Sequence, residues 1–170
     1  MELSGVYKIT YTPSSDQRGS FYKYFDAADF QEGGLCREFS QAAIATNRLK
    51  GTIRGLHFQN APLEETKLVR CIRGCIYDVV VDLRAGSKTR GSWRSFELSA
   101  LRIEALYVPP GFAHGYQTLE NDSDVEYLIS EKHVPELQGG MHWNSPKLAI
   151  SWPLEVTVVS ERDAALPAFE

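Results

Sequence analysis

Short runs rich in β-branched and aromatic residues recur along this chain, each closed by Gly, Pro, Asn or Asp, the rhythm of strands joined by turns. The runs fall at 6–11, 20–25, 36–46, 52–59, 67–72, 75–84, 93–99, 105–109, 112–119 and 124–131. Only two stretches carry a helical signature. One is 26–31; the other begins at Ser160, where Ser160-Glu161-Arg162-Asp163 has the form of a capping box with Asp in the acidic place. Strands do not alternate with long helical segments, so a parallel α/β sheet is excluded and an all-β sandwich or barrel is predicted. No internal repeat or low-complexity linker divides the chain, and residues 1–170 read as a single domain.

One strand is especially legible. In Ile76-Tyr77-Asp78-Val79-Val80-Val81-Asp82-Leu83, alternation puts Asp78 and Asp82 on one face and Tyr77, Val79, Val81 and Leu83 on the other. On a surface strand the two carboxylates would be ordinary solvated polarity. A chain of this length with so many strands has few wholly exposed faces, so the alternative is that Asp78 points into a polar cavity.

Composition narrows the function classes. With 43% hydrophobic, 11% aromatic and 24% charged residues over 170 positions, the chain is a folded globular protein. Its formal charge of −4 is spread along the sequence and leaves no basic stripe for a phosphate backbone, so no nucleic-acid partner is expected. No apolar run reaches the ~18–20 residues that span a bilayer, and Met1-Glu2-Leu3-Ser4-Gly5 has no signal-peptide character, so the expectation is a cytoplasmic protein without a membrane partner. Cys36, Cys71 and Cys75, an odd set at irregular spacing, read as reduced structural thiols.

Four histidines can be taken singly. His133 and His142 lie in polar, loop-like surroundings and are expected at the surface. His57 and His114 sit among glycines and apolar residues; each is either a hydrogen-bonded core residue or a proton-transfer group. No His-x-His, His-x3-His or Cys-x2-Cys offers convergent ligands, so no metal is expected. No Gly-x-Ser-x-Gly elbow and no glycine-rich phosphate loop precedes a helix, which argues against covalent hydrolysis and nucleotide-driven work.

The motifs Arg54-Gly55-Leu56-His57-Phe58-Gln59, Lys67-Leu68-Val69-Arg70-Cys71, Tyr77 to Arg84, Val108-Pro109-Pro110-Gly111-Phe112-Ala113-His114-Gly115 and Ser160 to Ala165 together resemble the dTDP-4-dehydrorhamnose 3,5-epimerase family. The similarity is collinear from Arg18-Gly19 to Pro167. It implies a cupin-type jelly-roll barrel that forms a homodimer, needs no cofactor and acts on a nucleoside-diphosphate 4-keto-6-deoxy sugar. In that chemistry the C4 ketone acidifies the hydrogens at C3 and C5. A base removes one, an enolate forms, and a proton returns from the opposite face.

Carried over residue by residue, the resemblance makes His57 the base and Asp163 its partner, which fixes the imidazole tautomer and stabilises the imidazolium. Spacing alone reads Asp163 as a cap of the last helical turn. By the same resemblance Lys67 lies near the C4 oxygen, where its ammonium stabilises enolate charge, and Tyr127 is the opposite-face acid. Arg18, Arg54, His114 and Asp78 are implied to line the cavity, the two arginines holding a diphosphate. Arg54 and His57 are three apart and would leave a regular strand on opposite faces, so a bulge at Gly55 is predicted.

The sequence departs from the family pattern at the nucleotide end. Lys23 stands where Glu is usual, residues 41–46 replace a Gln-x-Asn stretch, Lys132-His133 replaces Tyr-Tyr, Gln138 replaces Glu and Arg162 replaces Lys. Lys23, Gln138 and Arg162 are therefore substrate-binding candidates, with dTDP the leading nucleotide and CDP or GDP open. Three readings stand: a 3,5-epimerase, a 3-only or 5-only epimerase, and a catalytically silent sugar-nucleotide binding module. Retention of His57, Lys67, Tyr127 and Asp163 together favours an enzyme, since binding alone requires neither base nor acid.

Overall fold

A computed structural model describes residues 2–170, and the alternating strands assemble there as two five-stranded antiparallel sheets, a jelly roll of cupin type. The first sheet orders β1 (Tyr7–Thr10), β9 (Glu104–Val108), β6 (Lys67–Arg73), β11 (Ser123–Ile129) and β4 (Gln41–Asn47). The second orders β12 (Gln138–Gly140), β5 (Ile53–Gln59), β10 (Phe112–Thr118), β7 (Cys75–Asp82) and β8 (Trp93–Ser99). A separate hairpin joins β2 (Ser14–Asp16) to β3 (Gly19–Phe21), and the helices are the short α1 (Ala27–Glu32) and α2 (Glu161–Ala164).

Each run expected from the sequence overlaps an observed strand. The strands that patterning missed, β2 and β12, read Ser-Ser-Asp and Gln-Gly-Gly and have no apolar alternation to detect.

Between the sheets, Val69, Leu106 and Val125 interleave with Ile76, Val80 and Phe112. The outer faces are covered as well. Phe30 of α1, with Phe25 and Phe39, packs on Leu68, Ala105 and Tyr107, while Leu148, Trp152 and Phe169 cover Leu56, Val79 and Val81. Strand β7 is thus dry on both faces, and Asp78 and Asp82 are each 0% exposed despite their shared parity. Their partners differ. Asp82 accepts hydrogen bonds from Arg84, Ser87 and Thr89 and ties down the loop after β7, whereas Asp78 turns to His114.

All three cysteines are free thiols, Cys36 half-buried and Cys71 and Cys75 buried; burial pushes the Cys71 thiol up to about 12, which keeps it protonated and inert. Among the described residues no helix is long and apolar enough to cross a membrane.

Candidate active site

A cavity of about 380 Å³ is lined by Arg54 and His57 of β5, Lys67 of β6, His114 of β10, Tyr127 of β11 and Asp163 of α2. Its key feature is the predicted bulge. Arg54 pairs with Tyr116 and His57 with His114, so three residue steps on β5 run beside two on β10. The extra residue turns both Arg54 and His57 into the cavity while Leu56 enters the outer apolar cluster.

Gly55, at the centre of the bulge, has φ 120°, and a Cβ there would lie 2.7 Å from the Cα of Gly115. Only two facing glycines let β5 and β10 approach so closely. Gly55→Ala is expected to lower stability by roughly 2–5 kcal/mol, left-handed strain adding to the backbone clash. A urea midpoint within error of wild type would contradict this account of the bulge.

The bulge also exposes a donor. The Gly55 N–H donates to Asp163 Oδ2 at 2.9 Å, and His57 Nε2 lies 2.8 Å from Asp163 Oδ1. An ionised carboxylate only accepts, so Nε2 carries the hydrogen and Nδ1 is left as the basic nitrogen. The two roles weighed for Asp163 use different atoms: its backbone N–H donates to the capping Ser160 hydroxyl at 3.1 Å, while both carboxylate oxygens serve β5.

Burial pushes the Asp163 carboxyl up, but the hydrogen bonds from His57 and Gly55 outweigh it and hold the group below the usual carboxylate range. A depressed folded value adds stability that is complete above the ordinary Asp value of ~4 and is lost as pH falls through the lower folded value. Wild type is therefore expected to exceed Asp163→Asn in denaturant midpoint at neutral pH, with the gap narrowing in acid. A gap independent of pH would mean that the carboxylate charge adds nothing.

Lys67 is 8% exposed, and its Nζ lies 2.9 Å from Glu65 Oε1, a cavity residue not singled out from the sequence. Its signal was present: Glu65 stands two positions before Lys67, the first residue of β6. Tyr127 is half-buried, its ring edge-on to His114 with centroids 6.0 Å apart. Burial first, then Tyr116 and Asp78, push the Tyr127 phenol well above the usual tyrosine value, with Arg54 opposing, so it stays protonated at neutral pH.

Asp78 does not line the cavity as expected. It is buried behind the wall, where Oδ2 lies 2.8 Å from His114 Nε2 and supports that imidazole. Desolvation pushes this carboxyl up, opposed by His114 and Lys67.

At the rim, Arg162 donates to Gln138 Oε1, and Gln138 Nε2 lies 3.0 Å from His133 Nδ1, so three departures from the family pattern form one connected group. His133 is exposed as expected; His142 is half-buried, stacked on Trp143 away from the cavity. Arg18 and Lys23 are not brought to the cavity of their own chain. Arg18 lies on the exposed β2–β3 hairpin, held by Asp16, and Lys23 pairs with Asp26 at the start of α1.

A roomier cleft of 820 Å³ beside residues 167–170 contains neither histidine nor lysine and none of the residues His57, Lys67, Tyr127 and Asp163. Among the described residues no three His, Cys, Asp or Glu side chains converge as a metal site.

The family model described as dTDP-4-dehydrorhamnose 3,5-epimerase matches residues 1–170. The chain belongs to that family. The dTDP-4-dehydrorhamnose 3,5-epimerase of Methanothermobacter thermautotrophicus is 40% identical over 164 residues, covering 95% of this chain and 88% of the relative. The crystal structure of the Elizabethkingia anophelis family member superposes with a TM-score of 0.95 at 36% identity, covering 99% of this chain and 93% of that one. The Bacillus anthracis member, solved with TDP and PPi bound, also gives a TM-score of 0.95 at 36% identity, over 99% of this chain and 98% of that one.

Proposed function

We propose that this protein is an isomerase that inverts C3, C5 or both in a dTDP-linked 4-keto-6-deoxyhexose during deoxysugar biosynthesis. The observation that carries this reading is the His57–Asp163 contact in the same cavity as Lys67 and Tyr127. His57 Nδ1 takes the proton of the C–H next to the ketone, and the bond's electron pair moves into the enolate. The Lys67 ammonium stabilises charge on the C4 oxygen. Tyr127 gives its O–H proton to the opposite face of the same carbon, the C–H bond reforms inverted, and the ketone returns. Protonated His57 and the Tyr127 phenolate then reset by exchange with solvent.

Arg54 at the mouth, with Gln138 and Arg162 on the rim, holds the nucleoside diphosphate. His114, supported by Asp78, fixes the ring of Tyr127. We place all of this in one domain, residues 1–170, in the cytoplasm.

The working unit in this reading is a homodimer. Phe21 on the hairpin is 74% exposed, and Ile44 on the open edge strand β4 is 60% exposed, apolar surface that a second copy would cover. Arg18 and Lys23, which cannot serve their own cavity, would then reach that of the other copy.

Calorimetric titration with dTDP, CDP and GDP tests the nucleotide; equal affinity for all three would overturn the dTDP assignment. Turnover is expected to survive EDTA, because the ketone, Lys67 and the dyad supply the acidity that a Lewis acid would otherwise provide. Activity lost to the chelator and restored by zinc or iron would contradict that.

A further inference from the structure

The hairpin of β2 and β3 stands away from the barrel. Every residue from Ser14 to Phe21 is exposed, and its side chains bond across the hairpin, Ser15 to Ser20, or along it, Arg18 to Asp16. A lone two-stranded ribbon has little stability of its own in water, so its direction is set where it leaves the body of the fold. That root is aromatic. Tyr11, before the hairpin, stacks on Tyr22, the residue that follows β3, with centroids 6.4 Å apart, and the Tyr11 N–H donates to the Ile103 carbonyl at 2.9 Å.

Against these rings lies Arg70 of β6, its side chain 12% exposed. Nη2 donates to the Tyr22 hydroxyl at 2.7 Å, and the guanidinium carbon sits 4.0 Å from the centre of the Tyr24 ring. Nη1 donates at 3.2 Å to Oε2 of Glu126, the residue opposite Arg70 in the register of β6 and β11. A planar fork bonded to two partners and stacked on a third has little freedom left. The group lies on the far side of the sheet from the cavity of its own chain. Val69 and Tyr127, the sequence neighbours of Arg70 and Glu126, face inward, and alternation turns Arg70 and Glu126 outward.

We propose that Arg70 is a positioning residue for the hairpin: by holding Tyr22 and Tyr24 it aims the hairpin so that Arg18 reaches the cavity of the second copy. This rests on the homodimer reading above. In that arrangement Arg18 donates to the diphosphate of the substrate, and a hairpin loosened at its root would have to be ordered again at each binding event. The loss falls on substrate binding in the other copy's cavity, while proton transfer by His57 there is untouched.

Kinetics of mixed dimers test this. Arg70→Met keeps an unbranched side chain against the rings and removes every donor. Its homodimer is expected to raise KM for a dTDP-linked 4-keto-6-deoxyhexose by roughly 10-fold, the worth of one hydrogen bond to a charged group, with kcat within about 2-fold of wild type. The decisive species pairs one Arg70→Met chain with one His57→Asn chain, co-expressed with different affinity tags and purified through both. Its one cavity with a base belongs to the Arg70→Met chain and is served by the intact hairpin of the other. The mixed dimer is therefore expected to return to wild-type KM at about half the wild-type turnover per dimer, since one of two equivalent sites works. A role in its own barrel would leave KM raised, and that result, or an Arg70→Met homodimer with wild-type KM, would overturn the inference. Should Arg70→Met fail to fold, Tyr22→Phe removes only the bonded hydroxyl and is expected to raise KM by roughly 3-fold, with the same recovery in the mixed dimer. An unchanged KM in Tyr22→Phe would then overturn the inference equally. Arg18→Met is the control: if its KM is that of wild type, or stays raised beside His57→Asn, Arg18 does not act across the dimer and the fault lies in the underlying reading.

Discussion

Replacing His57 with Asn leaves a folded protein whose turnover falls by ~10²–10⁴ or more, the usual contribution of a positioned acid or base. Asn suits the test because it stays polar but cannot take up a proton; its amide stops short of the Nε2 position, so Asp163, 4% exposed, keeps the Gly55 N–H as its partner on β5, and stability and chemistry are to be read separately. With Asn the fold and the nucleotide-holding arginines persist, so the loss should fall on kcat with little change in KM. Thermal melts alongside turnover separate the two effects. Wild-type-like turnover in a folded His57→Asn protein would remove the imidazole from the mechanism.

The second large effect is a change in outcome rather than in rate alone. Tyr127→Phe deletes the phenolic oxygen while the ring still packs edge-on to His114, so no sizeable cavity opens. The dyad remains able to take a proton from the substrate and return one to the same face. The variant is therefore expected to wash deuterium into the sugar with retained configuration, while inversion falls by ~10²-fold or more. Inversion at the wild-type rate would make another residue or water the acid, and Tyr127 would then be a packed strand aromatic.

Much of this arrangement was readable from the chain because its signals are local. The strands announce themselves by alternation and turn residues, and once the family resemblance puts Arg54 and His57, three apart, in one cavity, a bulge at the glycine between them follows. The pairing of Asp163 with His57 spans 106 positions and left no local trace beyond a residue that also suits a helix cap; only the family resemblance pointed to it. Asp78 was placed on the correct face but one layer too far forward, because alternation reports which side a residue faces and not what stands between it and the cavity. Arg18 and Lys23 show the same limit at the level of assembly. Their motif is recognisable, yet one chain leaves them paired with Asp16 and Asp26 outside the cavity. The bond between Arg70 and Tyr22 spans 48 positions and had no sequence signal at all, and only the folded sheet shows it.

The most direct test of proton abstraction and opposite-face return is proton NMR of a dTDP-linked 4-keto-6-deoxyhexose turned over by the wild-type protein in deuterated water. The account predicts that every carbon whose configuration inverts carries solvent deuterium: both C3 and C5 for a 3,5-epimerase, one of them for a mono-epimerase. Inversion with the original hydrogen retained, or a substrate that binds and neither exchanges nor inverts, would contradict it.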